Sequence, residues 1–298
     1  MERMEKYNIM TAFTADRQGN LTENNSLQDR FLEKMYGSVI GRILIKPLVS
    51  PVVSSIGGKL LDSKISAAAI PAFVKKTGIN MDDYEEKKYH SYNDFFTRKI
   101  RPDARSIDMM PEHFISPCDS RLSVYPISSD GRVNIKHTRY TAAELLRDSR
   151  LARKYEQGYM WVFRLCVDDY HRYIYVDQGK ESQRRCIKGV LHTVNPAAND
   201  VYPIYKENTR EYSLLQTEHF GTVLMMEVGA LMVGKIVNHP VKQQVQRGED
   251  KGHFAFGGST IILMTQPGMV DPDEDLLANS EQGIETKIYM GEKIGRKK

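Results

Sequence analysis

The stretch Gly248-Glu-Asp-Lys-Gly-His-Phe-Ala-Phe-Gly-Gly-Ser-Thr-Ile-Ile-Leu-Met264 contains two apolar runs separated by a polar break. The runs from Phe254 to Phe256 and from Ile261 to Met264 have the composition of β-strands, and two glycines, a serine and a threonine separate them. Such a break is typical of a Gly-Gly hairpin. It also permits a second interpretation. Because Gly258 has no side chain, nothing blocks the Ser259 hydroxyl from attacking the preceding carbonyl in a strained peptide.

Other parts of the chain favour the second interpretation. The break resembles the self-cleavage site of the phosphatidylserine decarboxylases, and further blocks resemble that family in the family's own order. Together they extend over roughly residues 84 to 295. The blocks are Ser91-Tyr-Asn-Asp-Phe-Phe-Thr-Arg98, Ser116-Pro-Cys-Asp-Ser120, Asp169-Tyr-His-Arg172, Thr193-Val-Asn-Pro196, Glu207-Asn-Thr-Arg210, Phe220-Gly221 and Val228-Gly-Ala-Leu-Met-Val-Gly234. Any one of them is a weak signal, whereas the ordered set is a strong one.

Composition gives bounds that agree with this family. The 298 residues can bury a substantial core, and 41% hydrophobic and 27% charged residues are ordinary for a globular protein. A net charge of +4 is too small to indicate nucleic-acid binding, but it suits an acidic lipid surface. The three cysteines form no CxxC pair, which favours reduced thiols and a cytosolic setting. The acidic residues at the start of the sequence, with no apolar run after them, do not predict a signal peptide, and no spacing predicts a cluster of metal ligands.

The chain divides into a helical N-terminal region, 1–83, and a β-rich catalytic domain, 84–298. Residues 1–26 are polar and predict a loose lead-in. Residues 27–61 combine apolar and basic positions with prolines, so short kinked helices are expected there. These helices either lie in a membrane interface or pack on the core or on a second subunit, and the sequence does not decide between the alternatives.

The predicted fold class is α+β, with N-terminal helices followed by a mixed or antiparallel, barrel-like sheet. Helices are expected over 65–76, ended by Gly78, over 92–100, and from a capping box at Thr141 to about Lys154. Short strands separated by turns follow, among them one over 189–194. The acidic residues 271–275 predict a solvated loop.

The resemblance implies a specific chemistry. Ser259 would attack the carbonyl of Gly258, and the resulting ester would eliminate to leave a pyruvoyl group in place of Ser259, with a small chain of residues 259–298. A pyruvoyl group acts as an electron sink in decarboxylation, as pyridoxal does. The activity implied is that of a carboxy-lyase of phospholipid biosynthesis, converting phosphatidylserine to phosphatidylethanolamine and CO₂.

The self-cleavage step needs a base and a group that orients it, and we assign these roles to His171 and Asp119. Without the family, His171 would be taken as a satisfied histidine and Asp119 as a turn residue. One departure stands out. The family usually has Tyr-His-x-x-His, but this chain has Ile174 where the second histidine would be. Three alternatives follow: His171 serves both reactions, another group such as His192 or Tyr175 substitutes for the second histidine, or one of the two reactions is impaired.

Substrate recognition follows from the resemblance. A phospholipid in a membrane surface is the expected partner, with the protein peripheral on the cytoplasmic face of the cell membrane and a homodimer as a further expectation. Arg210 is a candidate for binding the substrate phosphate or carboxylate, or else belongs to a buried structural ion pair. Arg98 is either a structural ion-pair partner or a phosphate binder, and we favour the ion pair. Two alternatives stay open: a decarboxylase of a soluble amino acid, and a non-cleaving relative that binds lipid.

Overall fold

A computed structural model provides the structure, and it describes residues 13–23, 35–36, 38, 57–135, 138–194, 199, 202–230, 235–255 and 259–298. Its strands are β1 Phe13–Ala15, β2 Leu21–Glu23, β3 His113–Ile115, β4 Ser120–Pro126, β5 Arg132–Ile135, β6 Thr138–Thr141, β7 Tyr159–Leu165, β8 Arg172–Ile174, β9 Gly179–Glu181, β10 Arg185–Ile187, β11 Arg210–Thr217, β12 Thr222–Val228, β13 Ile236–Asn238, β14 Asp250–Phe254, β15 Ser259–Thr265, β16 Val270–Pro272, β17 Glu285–Ile288 and β18 Lys293–Lys297. The α-helices are α1 Ile70–Thr77, α2 Tyr92–Phe96, α3 Ala142–Leu146, α4 Ser149–Ala152, α5 Ile204–Glu207 and α6 Glu274–Glu281.

A ten-stranded central sheet organises the protein, in the order β10-β11-β12-β15-β7-β4-β17-β1-β2, with β9 also paired to β11. Strand β15 lies near the middle, antiparallel to β12 and β7. All seven of its residues are buried, which explains the uninterrupted run Ile-Ile-Leu-Met. The predicted α+β class is confirmed. The described strands form an open sheet, since β10 and β2 are its two ends, and therefore not a closed barrel.

The two faces of the central sheet carry separate hydrophobic clusters. Ile261 and Leu263 point into one cluster, and Ile262 and Met264 point into the other. This alternation is what a strand imposes, because successive side chains lie on opposite faces. Ser259 therefore shares a face with Ile261. We call this the first face of the sheet.

Two three-stranded sheets, β13-β14-β8 and β16-β18-β3, contribute to the cluster on the first face. The first of them contains the strand that immediately follows His171 and the strand that precedes the Ser259 stretch. Helices α3 and α4 and the hairpin β5-β6 cover the second face. The capping box predicted at Thr141 is present, with Glu144 as its partner.

Several predictions of local structure need correction. Residues 13–23 are not a loose lead-in but a hairpin, and β1 adds parallel to β17 of the central sheet. The acidic stretch 271–275 is not a loop either. It supplies the end of β16 and the first turn of α6, where acidic side chains suit the positive end of the helix dipole.

Three further boundaries differ from the prediction. Helix α2 ends at Phe96 rather than at residue 100, and the helix from Thr141 is broken at Arg147, whose φ is 47°. Residues 189–194 form no strand apart from an isolated bridge at Val190. By contrast, α1 ends at Gly78 with a φ of 70°, as predicted.

Most of the segment 27–61 lies outside the described residues, so the choice between membrane and packing is not resolved there. The division of the chain at residue 84 likewise stays a prediction. No helix among the described residues is long and apolar enough to span a bilayer.

Candidate functional site

Three neighbouring strands of the central sheet have their ends at one edge. β7 ends at Leu165, while its antiparallel neighbours β15 and β4 begin at Ser259 and Ser120. Ser259 pairs directly with Leu165. Asp119 immediately precedes β4, so it lies at the same edge. The register of the sheet thus places Ser259 and Asp119, which are 140 positions apart in the chain, at the same end of adjacent strands.

His171 is brought to this edge by two short connections. The chain leaves β7 at Leu165 and enters β8 at Arg172, and it leaves β14 at Phe254 and enters β15 at Ser259. The backbone N–H of Phe254 donates to the carbonyl of His171 at 3.0 Å. Both connections therefore join the same two sheets side by side. We call the region of Ser259, Leu165, Asp119 and His171 the Ser259 corner.

The Ser259 side chain is 1% exposed. Its Oγ has no hydrogen-bond partner among the residues that the structure describes. Buried hydroxyls are usually paired, because burial without a hydrogen bond is costly. Gly258, the predicted cleavage partner, lies outside the described residues. The hydroxyls of Ser120, at the start of β4, and of Thr260 are likewise buried without a partner among the described residues, so this feature is shared by three hydroxyls at the same edge.

His171 is completely buried, and its ring lies 4.1 Å from the Phe96 ring, centroid to centroid. Its Nδ1 lies 2.8 Å from the carbonyl oxygen of Asp169. A carbonyl can only accept, so Nδ1 carries the hydrogen and the neutral ring has its lone pair on Nε2. This tautomer is the one a general base requires, and its orientation comes from a backbone carbonyl.

Asp119 is 4% exposed, and both of its carboxylate oxygens are engaged. Arg105 Nη2 lies 2.8 Å from Oδ2 and Arg105 Nε lies 3.2 Å from both oxygens, while Met290 N–H donates to Oδ1 at 2.8 Å. Arg105 also lies over the Tyr289 ring at 4.8 Å. The sequence contains no signal for Arg105, which precedes Asp119 by 14 positions. Its role becomes visible only in the fold.

Asp169 is a second carboxyl at this corner that the sequence did not single out, although it belongs to the block around His171. It accepts from Cys166 N at 2.7 Å and from Arg121 Nη1 at 3.3 Å. Burial raises the pKa of Asp169 to about 6, against the opposing effect of Arg121. The adjacent acidic residues Asp168 and Asp169 were the sequence signal that could have identified this second carboxyl.

A cavity of about 580 Å³ adjoins this corner. Its polar lining includes Asp119, Asp169, Arg105, Tyr170 and Lys287. Cavities of this volume accommodate small ligands or head groups. The carboxylate of Asp119 is therefore both fixed in position and in contact with a space that a substrate can enter.

His192 lies at the same end of the sheet, beside the neighbouring strand β12. Asn208 donates to the carbonyls of His192 and of Gly229, at 2.8 Å each, and Gly229 directly follows Val228 of β12. The His192 ring stacks on Tyr202 at 4.5 Å, and burial lowers its pKa. Its Nε2 lies 3.5 Å from Glu207. An assignment of His192 as a substitute base stays a prediction.

Arg210 occupies a structural position. It is fully buried, and its guanidinium donates to the backbone carbonyls of Leu145, Lys206, Asn208 and Glu144 at 2.7 to 3.1 Å. Burial lowers its pKa to about 10. This geometry gives Arg210 a structural role, but the buried ion pair predicted as the alternative is not formed among the described residues, because its partners are backbone carbonyls.

Ile174, where the family's second histidine would lie, is 4% exposed and belongs to the core cluster on the first face. Its backbone N–H donates to the carbonyl of Pro117 at 2.9 Å, which joins β8 to the turn that carries Asp119. The position thus contributes packing and a backbone contact to the corner.

A buried serine hydroxyl near an imidazole and a fixed carboxylate is the arrangement expected of an enzyme whose chemistry centres on a serine. Known proteins narrow this class. The sequence profile of the phosphatidylserine decarboxylase family matches residues 92–296. The chain belongs to this family, whose members are carboxy-lyases.

Individual relatives are similar along nearly their whole length. Phosphatidylserine decarboxylase proenzyme 2 of Clostridium acetobutylicum is 46% identical over 282 residues, covering 91% of this chain and 97% of that protein. The proenzyme of Ruminiclostridium cellulolyticum is 40% identical over 272 residues, covering 89% and 91%. That of Clostridium botulinum is 37% identical over 281 residues, covering 92% and 95%.

Proposed function

We propose that this chain is a proenzyme that cleaves itself between Gly258 and Ser259 and then decarboxylates phosphatidylserine to phosphatidylethanolamine and CO₂. The observation that carries the proposal is the Ser259 hydroxyl. It is buried, it has no partner among the described residues, and it lies at the sheet edge that also holds His171 and Asp119. The names of the similar proenzymes agree with this assignment.

In the self-cleavage step, Ser259 Oγ gives its proton to a base and bonds to the carbonyl carbon of Gly258. The Gly258 C–N bond breaks and the amine takes up a proton, which leaves an ester. Loss of the Ser259 Cα proton then breaks the Cβ–Oγ bond and releases the Gly258 carboxylate. Water hydrolyses the remaining enamine, so that ammonia leaves and a ketone stays at residue 259.

We assign the base role to His171, because its Nδ1–H is committed to the Asp169 carbonyl and its lone pair is on Nε2. Asp119, held by Arg105 and Met290, would stabilise positive charge at the corner, whereas the orienting contact predicted for it is made to His171 by the Asp169 backbone carbonyl. With Ile174 in the core, His171 is the histidine we assign to both reactions. If His171 does not serve both reactions, His192 is the proposed substitute.

The cofactor proposed is the pyruvoyl group made from Ser259. It supplies an electrophilic ketone that accepts the electrons released when CO₂ leaves the substrate. The residues present fit such a group, since position 259 is shielded from water and has no competing hydrogen bond among the described residues. Its backbone pairing with Leu165 holds the position in place.

The small chain 259–298 is expected to stay bound after cleavage. Its strand β15 lies between β12 and β7, and its strand β17 lies between β4 and β1. Backbone hydrogen bonds also join Gly291 and Glu292 to Ser116, beside Asp119. Both chains therefore remain parts of one sheet.

We further propose that the protein works at the cytoplasmic face of a membrane, as a peripheral protein. The helical segment 57–77 exposes Leu60 by 67% and Ile65 by 86%, and its four lysines are exposed as well. Apolar and basic side chains together suit an anionic lipid interface. The free cysteines agree with a reducing compartment. A homodimer through the same segment is the alternative use of this surface.

The deciding experiment is the intact mass of freshly purified protein under denaturing conditions, followed by an assay on phosphatidylserine vesicles. We expect two fragments that separate after Gly258, a ketone in place of the amine of residue 259, and phosphatidylethanolamine as product. A single mass of 34.1 kDa would contradict the proposal and favour a non-cleaving lipid-binding relative. Release of CO₂ from free serine but not from vesicles would favour a soluble substrate.

In the variant Leu60→Ser/Ile65→Ser, vesicle binding should fall while activity on a water-soluble short-chain substrate is retained.

A further inference from the structure

Arg98 is a buried arginine that lacks a carboxylate. It is 3% exposed, and its guanidinium donates to the Tyr84 hydroxyl at 3.1 Å and to the Phe95 carbonyl at 3.3 Å. Its Nε has no hydrogen-bond partner among the described residues, and no carboxylate of these residues forms an ion pair with it. The ion pair predicted for Arg98 from the sequence is therefore not found in the described part of the chain.

Of the four other buried arginines among the described residues, Arg210 is satisfied by four backbone carbonyls and three have a carboxylate partner. Arg164 pairs with Glu285, Arg172 with Asp250 and Arg247 with Asp177. A buried charge without a counter-charge is costly. The Arg98 guanidinium lies 4.2 Å above the Tyr84 ring and 4.6 Å above the Phe95 ring, and such contacts offset only part of that cost. An anion is the group that would complete its surroundings.

A cavity of about 360 Å³ opens beside Arg98. Six charged side chains line it, four positive and two negative, which leaves a net of two positive charges: Lys87, Arg98, Lys99, Arg172, Glu85 and Asp94. Lys87 is neutralised by Asp94 at 2.6 Å. Lys99 is exposed and has no ion-pair partner among the described residues. Arg98 and Lys99 thus form an adjacent pair of cations that only Glu85 can oppose within this lining.

The cavity lies close to the Ser259 corner. Phe96, at the end of α2, packs against the His171 ring, and the next residues of the same segment line the cavity. Arg172 follows His171 and donates to the carbonyl of Thr97 at 3.4 Å. Arg172, which lines the cavity, therefore follows His171 directly in the chain. Thr97, which also lines it, directly follows Phe96, whose ring contacts His171.

We propose that the cavity bounded by Arg98 and Lys99 binds a phosphate group. A guanidinium presents two parallel donors that match phosphate oxygens, and an ammonium adds a second charge on a flexible stem. Two sources have this chemistry: the phosphodiester of a phospholipid head group, and free phosphate. The assignment of the bound group to the substrate's own head group rests on the proposed decarboxylation, whereas phosphate binding as such does not.

Calorimetric titration tests the site on the full chain, whether cleaved or not. The probes are inorganic phosphate and glycerophosphocholine, a phosphodiester without a primary amine that could react at residue 259. Lys99→Gln should weaken binding about tenfold, the loss expected when one charge-assisted contact to phosphate is removed. Lys180→Gln, a change at another exposed lysine, should leave binding unaltered. Arg98→Lys should keep part of the affinity and Arg98→Met none, with circular dichroism confirming that each variant is folded.

The two probes distinguish the sources. Binding of glycerophosphocholine that Lys99→Gln weakens assigns the site to a lipid head group, and the same variant should then raise KM for phosphatidylserine vesicles with little change in kcat. Binding of inorganic phosphate alone assigns the site to free phosphate. No binding of either probe, or equal binding by Lys99→Gln and the wild type, would overturn the proposal. Failure of cleavage or of decarboxylation would leave this titration readable, so the two proposals fail separately.

Discussion

The first face of the central sheet contains two buried polar regions that differ in one respect. In the Ser259 corner, the Ser259 hydroxyl has no partner among the described residues. In the second region, which we call the Lys251 cluster (Lys251, Glu227, Glu181 and Asn238), the charged groups are paired. Lys251 Nζ lies 2.7 Å from Glu227 and 3.7 Å from Glu181, and it donates to Asn238 at 3.2 Å.

Both regions are desolvated to the same degree, since Lys251 and Glu227 are fully buried and Ser259 is 1% exposed. The difference therefore lies in hydrogen bonding and not in burial. A satisfied buried network stabilises the fold, whereas a buried group left without a partner is available for chemistry. Substitutions at Ser259, Lys251, His253 and Arg105 test this contrast between an unpaired and a paired buried region.

Ser259→Ala should abolish self-cleavage completely, because no hydroxyl remains to attack Gly258. Relative to the uncleaved wild-type chain, the variant should not be destabilised, since Oγ makes no hydrogen bond to a described residue and burial of an unpaired hydroxyl is itself unfavourable. Intact mass and thermal melting measure the two effects. Ser213→Ala is the matched control on the same face: its hydroxyl donates to Glu181 at 2.8 Å, so about 1 kcal/mol should be lost while cleavage continues. Cleavage by Ser259→Ala, or a folded Ser213→Ala that does not cleave, would break the contrast.

Lys251→Met should lower the free energy of unfolding by about 3–5 kcal/mol, because it leaves the Glu227 carboxylate buried without its counter-charge. Urea denaturation measures the loss. Lys251→Met/Glu227→Gln should recover part of it, since the second change removes the uncompensated charge. Where Lys251→Met is folded, it should still cleave. A folded but uncleaved Lys251→Met would place the Lys251 cluster within the reactive machinery.

His253 sharpens the comparison, because its Nδ1 is buried without a partner among the described residues yet lies outside the corner. Burial, and next the charge of Arg172, lower its pKa to about 4. The unfolded chain then binds a proton below about pH 6.5 that the folded protein binds only near pH 4. His253 therefore contributes stability above pH 6.5 that is lost as the pH falls toward 4, about 2 kcal/mol after allowance for its partial exposure.

The measurement is the urea midpoint between pH 4 and 7 for the wild type and for His253→Gln. The variant should lose the pH dependence of that window and should still cleave at pH 7. If His253→Gln stays folded but does not cleave, His253 is required for self-cleavage although it lies outside the Ser259 corner. Our definition of the site would then be too narrow.

Arg105→Gln should slow self-cleavage about tenfold, equivalent to about 1.4 kcal/mol, because Asp119 loses its bidentate partner but keeps the Met290 N–H. Arg105→Lys should be intermediate, and added guanidinium should restore part of the rate of Arg105→Ala. The control is Arg101→Gln, an exposed arginine that pairs with Asp103. Mass spectrometry measures the rate of cleavage. Equal rates for Arg105→Gln and the wild type would show that Arg105 does not contribute to the site.

The two arginines that the sequence brought forward illustrate the limits of sequence patterns. Arg210 was a candidate for an anion of the substrate, but four backbone carbonyls occupy its guanidinium. Arg98 was expected in an ion pair, but no described carboxylate meets it. Both lie in blocks similar to the family, and nothing local distinguishes them. What an arginine contacts depends on segments far away in the chain.

Local features were predictable where the physics is local. The capping box at Thr141, the stop of α1 at Gly78 and the buried run of β15 depend on neighbouring residues alone. The prediction of a solvated loop at 271–275 was wrong. Its acidic residues are typical of such a loop, but they also suit the first turn of a helix. The hairpin at 13–23 was missed because a short edge strand needs a partner from elsewhere, here β17.

The order of the motifs and the periodicity of the side chains were enough to identify the family and the α+β class, and they predicted the reactive serine. Only the tertiary structure decided which groups surround that serine. Asp119 and Ser259 are 140 positions apart, and Arg105 and Met290 reach Asp119 from two further segments. The register of β4, β7 and β15 joins these segments, and register is set by the packing of the whole sheet rather than by any one stretch.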